Sequence, residues 1–98
     1  MAFTFNSRVN AKPVGFQRII SLSAATALTP PTPDCNACLI VPESQSIRWR
    51  DDGTAPTASV GALIKAEAIF EYTGQLDRIK LIETAASASV TITYYQIG

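Results

Sequence analysis

Side chains able to do chemistry are few in this chain, and each group of them meets an obstacle. There is no histidine, which removes the commonest general base and the commonest metal ligand together. Asp51 and Asp52 could form a carboxylate pair, but neighbours in sequence at the mouth of a hairpin point apart and stay solvated. Turn capping and exposed charge are their expected roles. Glu67 and Glu71, four apart, could share a calcium ion with Asp51, yet the dense run of oxygen ligands that a calcium loop needs is missing. Cys35 and Cys38 form a C-x-x-C in "CNAC". A structural zinc site takes four ligands and no second ligand pair exists, so a complete site within the chain is excluded by count. A thioredoxin-like dithiol sits at a helix N-terminus, whereas this one leads into a strand. Cys38 is therefore expected as a small core residue and Cys35 as an exposed loop residue, with a disulfide, within the chain or to a neighbouring subunit, as the alternative. The glycines are isolated turn positions and form no phosphate-binding loop.

Trp49, Tyr72, Tyr94 and Tyr95 could stack on a sugar or a base. Their places in the hydrophobic alternation argue for core instead: Trp49 shares a face with Ile47, Tyr72 with Phe70, and Tyr94 with Ile92. Tyr95, opposite Tyr94, is the one expected to be exposed or at an interface. Arg48 and Arg50 take the polar face of their strand, where pairing with Asp51, Asp52 or Glu71 across the sheet is the simplest account.

The elements that would position these residues read as short strands. "FQRIISLS" places Phe16, Arg18, Ile20 and Leu22 on one face and Ile19 on the other, a plausible first core strand. "AATALTPPTPDCNA", with Pro30, Pro31 and Pro33, reads as a surface connection. "CLIVPE" is a short apolar strand stopped by Pro42, and "QSIRWR" alternates cleanly, with Ile47 and Trp49 opposite Ser46, Arg48 and Arg50. "DDGTAPTASVG" is turn chemistry, with a glycine for positive φ and Pro56 against regular pairing. "ALIKAEAIFEYTG" also fits a helical stripe, since Ala, Lys and Glu favour helix. Its β-forming end and turn glycine favour a long strand or a bent strand pair. "LDRIKLIE" directs Ile79 and Leu81 inward, and "ASVTITYYQI" does the same for Val90, Ile92 and Tyr94. The pattern predicts an all-β fold, a single small antiparallel β-sandwich or jelly-roll-like barrel over residues 16–98, preceded by an extended N-terminal arm over residues 1–15.

Eight basic and eight acidic residues cancel across 98 positions, so no net field draws in nucleic acid. The charged fraction of 16% is well below the roughly 25% of an average soluble domain, a composition suited to packing against another protein. No apolar run is long enough for a membrane helix. The N-terminus lacks the basic and apolar regions of a signal peptide.

"SIRWRDDGTAPTASVG", followed by an apolar strand, "EYTG", "LDRIKLIE" and a final "VTITYY", resembles a group of small virion structural proteins of tailed bacteriophages. There an R-W-R-D-D-G-T-x-P-T hairpin precedes a strand, a Y-T-G-x-L turn, another strand and a terminal Y-Y. The likeness runs from about Cys38 to Tyr95. It implies a jelly-roll-like particle protein, without enzymatic activity or cofactor, that decorates or cements the head or sits at the neck or tail. "CNACLIVPE" departs from the pattern, which is Ala-rich and thiol-free at that place.

The expectation is thus a virion protein made in the host cytoplasm. It would bind the major capsid protein or other virion proteins, form a homo-oligomer, and engage neither nucleic acid nor membrane. A neck, collar or tail protein is the structural alternative, and a carbohydrate-binding module for the host surface is the alternative of another class. Phe3 and Phe5, alternating in the arm, and Tyr95 are the candidate interface residues. Cys35 is the candidate for a disulfide to another subunit, because a Cys35–Cys38 bridge closes too short a loop to stabilise much.

Overall fold

The computed structural model describes residues 11–97. Phe3 and Phe5 lie outside the described residues. Eight strands follow in order: β1 (Ala11–Ile19), β2 (Thr26–Ala27), β3 (Ala37–Pro42), β4 (Ile47–Arg50), β5 (Ala62–Ile64), β6 (Phe70–Tyr72), β7 (Lys80–Glu83) and β8 (Val90–Ile97). They form two four-stranded sheets of order β1–β8–β3–β6 and β2–β7–β4–β5, here named the β8 sheet and the β7 sheet.

The pairing has a simple logic. β1 pairs with β8, β2 with β7, β3 with β6 and β4 with β5, all antiparallel. The chain is therefore one long two-stranded ribbon folded back on itself, with its tip at the β4–β5 loop. Rolling the ribbon brings β3 against β8 and β4 against β7, which closes a β-sandwich with jelly-roll strand order. The Asp-Asp-Gly stretch is the tip of that ribbon.

Alternation sets what is buried. On β8, Val90, Ile92 and Tyr94 are fully buried, as are Ile79 and Leu81 around β7 and Ile40 and Ile47 on the facing strands. These meet in one core cluster between the sheets, as the period-two pattern predicts. Residues 62–72 form no helix. After β5 the chain turns at Glu67, whose φ of 67° is left-handed, and Glu67 N donates to Pro42 O at 2.8 Å. A left-handed residue ends any helical run, so the chain crosses here from the β7 sheet to the β8 sheet.

The first strand is longer than the sequence reading has it. It begins at Ala11, so Ala11–Gly15, assigned above to the arm, pair with the end of β8. Of its two faces the side of Ile19 is buried in the core, whereas Phe16 and Ile20 are each 66% exposed. The single apolar residue at 19 takes the inside because its partner across the ladder is Val90. Leu22 is buried as expected, though it reaches the core after β1 has ended. The proline-rich connection is not wholly surface. Thr26 and Ala27 pair with β7, and Leu28 is buried.

A β-bulge between Pro13 and Gly15 marks the middle of β1. A Cβ on Gly15 would stand 2.6 Å from Pro31 Cγ, so only glycine lets the proline segment close the open side of the sandwich.

Candidate functional site

The ribbon tip is built from interactions that hold it still. Asp52 takes a two-pronged ion pair from Arg50 and accepts from Thr54 N at 3.4 Å, which makes the turn. The Arg50 guanidinium beside Asp52 holds that carboxyl down at about 2. Asp51 points the other way and accepts the Tyr72 phenol at 2.7 Å. The two aspartates thus diverge, and each has its own partner. Among the described residues, Arg48 meets no carboxylate across the sheet, contrary to the sequence expectation. Its guanidinium donates to Ala58 O at 3.1 Å and Gly61 O at 2.9 Å, so it braces the loop backbone. Arg50 pairs two residues along its own chain, not across the ladder.

Trp49 is half-buried and packs on Phe70, with ring centroids 5.1 Å apart, and edge-on to Tyr72 at 5.7 Å. It joins β4 in one sheet to β6 in the other at the rim of the core. A shallow cleft of about 290 Å³ beside it is lined by Arg50, Asp51, Asp52, Val60, Gly61 and Ala62. Gly61 has φ of 144°, and a Cβ there would lie 3.1 Å from Trp49 O, so the loop returns to β5 only with glycine at this place.

Cys38 is fully buried and lies between Tyr72 and Tyr94 in the ladder. Burial, with Cys35 nearby adding to it, pushes its thiol up to about 12. Cys35 is not the exposed loop residue expected. It is half-buried, packs against the core, and its thiol faces Ala37 O at 3.7 Å. Backbone bonds from Cys35 N to Thr32 O and from Asn36 N to Tyr95 O fold the loop inward. Burial raises its thiol as well, and both cysteines are free thiols. A protonated thiol is a weak nucleophile, so the C-x-x-C offers no activated sulfur. Cys35 also lines a groove of about 540 Å³ with Pro30, Pro31, Pro33 and Leu76. Among the described residues, no cluster of three or more His, Cys, Asp or Glu is arranged to hold a metal ion, and no helix is long and apolar enough to cross a membrane.

Across the β7 sheet, the outward positions are Ala27, Lys80, Arg50, Arg48, Ile82 and Leu63, three basic side chains among three apolar ones. Across the β8 sheet they are Phe16, Arg18, Thr91, Thr93, Leu39, Val41 and Glu71, with half-buried Tyr95 beside Ala37. Leu39 and Ala37 are buried, yet they do not belong to the core cluster. Arg18 on this face pairs with Glu43 at 2.8 Å. Tyr95, the aromatic expected to be exposed or at an interface, is half-buried here, and the sequence reading did not pick out the rest of this face. A usable signal existed in "ACLIVP": a strand with water on one side alternates, whereas this one is apolar at every position.

No protein-family model, no curated protein and no solved structure matches this chain.

Proposed function

We propose that this protein is a non-enzymatic structural component of a tailed-phage particle, a decoration or stabilising protein that forms a homo-oligomer and binds the major capsid protein. The observation that carries the reading is at the edge strand β1, where Phe16, and Ile20 just beyond the strand's end, are each 66% exposed. Large apolar side chains left in water suit an interface with another protein. The resemblance of the tip hairpin to virion proteins supplies the setting. The tip itself supports a scaffold role, because Asp51, Asp52, Arg48 and Arg50 are all spent on holding the loop. Trp49 is likewise spent on Phe70 and Tyr72, which disfavours the carbohydrate-binding alternative.

The test is reconstitution. Purified protein is added to particles that lack it, and bound copies are counted against the major capsid protein. Saturable binding in fixed ratio to capsid subunits, with a rise in the temperature of DNA release, is the expected result. Binding limited to a few copies per particle would move the protein to the neck or tail, and no binding would refute the reading.

A further inference from the structure

We propose that Asp52–Gly53, at the ribbon tip, is a latent site of backbone isomerisation, and that the Arg50 guanidinium holds it shut by pinning the Asp52 carboxylate. This holds whichever partner the protein binds.

Of the five glycines, Gly53 alone follows an aspartate or asparagine. A glycine amide nitrogen has no side chain to shield it, so it can attack the side-chain carboxyl carbon of the aspartate before it. The C–N bond forms as the carboxyl hydroxyl leaves with the amide hydrogen as water, which closes a succinimide ring. Water then opens the ring at either carbonyl. Opening at the α-carbonyl frees the α-carboxyl and routes the main chain through the Asp52 β-carbon, an isoaspartate. Only the protonated carboxyl has a hydroxyl to lose as water, so the carboxylate reacts slowly.

Burial does not protect Asp52, whose side chain is 55% exposed, and Gly53 is exposed beside it. Hydrogen bonds do. Arg50 Nε donates to Oδ1 at 3.0 Å, Arg50 Nη2 donates to Oδ2, and Thr54 N donates to Oδ1 at 3.4 Å. Attack makes the carboxyl carbon tetrahedral, which ends the flat two-pronged pairing with Arg50, and ring closure removes one of its oxygens altogether. The same guanidinium keeps the group ionised, at about 2. On the other side of the turn, Arg78 Nη2 would lie 3.0 Å from a Cβ on Gly53, so the glycine has little room to swing. Isomerisation would take the carboxylate out of Arg50's grip and lengthen the tip by one main-chain atom. The pair that makes the turn therefore also preserves it.

The test keeps the full chain at neutral pH and physiological temperature, folded in one sample and unfolded in urea in another. Isoaspartate is counted by enzymatic methylation of its free α-carboxyl and placed by peptide mapping. Returning the carboxyl from about 2 toward its ordinary 3.8 raises its protonated fraction roughly tenfold or more. Position 52 should therefore isomerise roughly tenfold faster in the unfolded chain than in the folded one. Folded Arg50→Gln, its strands confirmed by circular dichroism, should approach the unfolded rate. Arg50→Lys, which keeps the charge and loses the fork, should fall between, and it serves in place of Arg50→Gln if that variant does not fold. Asp52→Glu should give no signal at the position, and Tyr72→Phe, which loosens the tip without touching Asp52, should keep close to the parent's rate. Equal rates in folded and unfolded parent, a folded Arg50 variant as slow as the parent, or a Tyr72→Phe as fast as Arg50→Gln would each overturn the inference.

Discussion

Replacing Tyr72 by Phe should loosen the ribbon tip by an amount that the structure allows to be worked out. Tyr72 is 5% exposed, and its phenol bridges the core to the tip by donating to Asp51 at 2.7 Å, with Gln75 O at 3.2 Å. A hydrogen bond to a charged acceptor contributes about 1.5–3 kcal/mol. Asp51 is half-exposed and water can reach it in the variant, so the low end applies, about 1.5 kcal/mol. Asp51→Asn keeps an acceptor but removes the charge, and should cost about 1 kcal/mol. Because both variants remove the same interaction, the double variant should cost less than their sum, with a coupling of about 1 kcal/mol. Urea unfolding followed by the fluorescence of Trp49, whose ring centre lies 5.7 Å from that of Tyr72, measures all four proteins with one probe. A Tyr72→Phe variant within about 0.3 kcal/mol of the parent, or strictly additive costs, would refute the claim that this bond ties the tip to the core.

Trp49→Ala should cost about 2–3 kcal/mol in the same assay read by circular dichroism, below the about 3–5 of a fully buried aromatic, because the ring is only half-buried. A cost near zero would show that its packing on Phe70 contributes nothing. Gly61→Val should destabilise by about 2 kcal/mol or more through backbone strain and contact with Trp49 O, and Gly53→Asn by much less, since asparagine tolerates positive φ. Equal effects at the two sites would contradict the close approach at Gly61. The Cys38 thiol and the Tyr72 and Tyr94 phenols are all raised, chiefly by burial. They ionise more readily when the chain is unfolded, so stability should be full below pH 9 and fall as pH climbs from 9 through 12. Melting temperatures that hold steady across that range would count against their burial. In native protein at neutral pH, Cys38 should resist a thiol reagent until the chain unfolds, and a denaturing gel without reductant, after free thiols are blocked, should show no Cys35-linked dimer.

Where one face of a strand is buried and the other wet, the sequence was easy to read. Ile79, Leu81, Val90, Ile92 and Tyr94 declare their side by alternation alone, and all are in the core. On β1 alternation separates Phe16 and Ile20 from Ile19 without saying which side is inward, because both sides carry apolar bulk. It fails as a guide when the outward side is itself apolar. The same cause hid the outer face of β3. Cys35 was expected at the surface from its Pro, Asp and Asn neighbours, but loop burial depends on the bond from Asn36 N to Tyr95 O, a contact 59 residues away in sequence. The tip drew attention for its density of charged and aromatic residues. Their partners could not be read off, because Tyr72 and Asp51 meet only once the ribbon has rolled.

The central claim is that this chain is a structural protein of the virion's outer surface. A reconstruction of the whole particle by electron cryomicroscopy tests it most directly. The account predicts density for jelly rolls at many symmetry-related positions on the outside of the shell, each seated on the major capsid protein. Their absence from the particle, or density confined to the neck or tail, would contradict it.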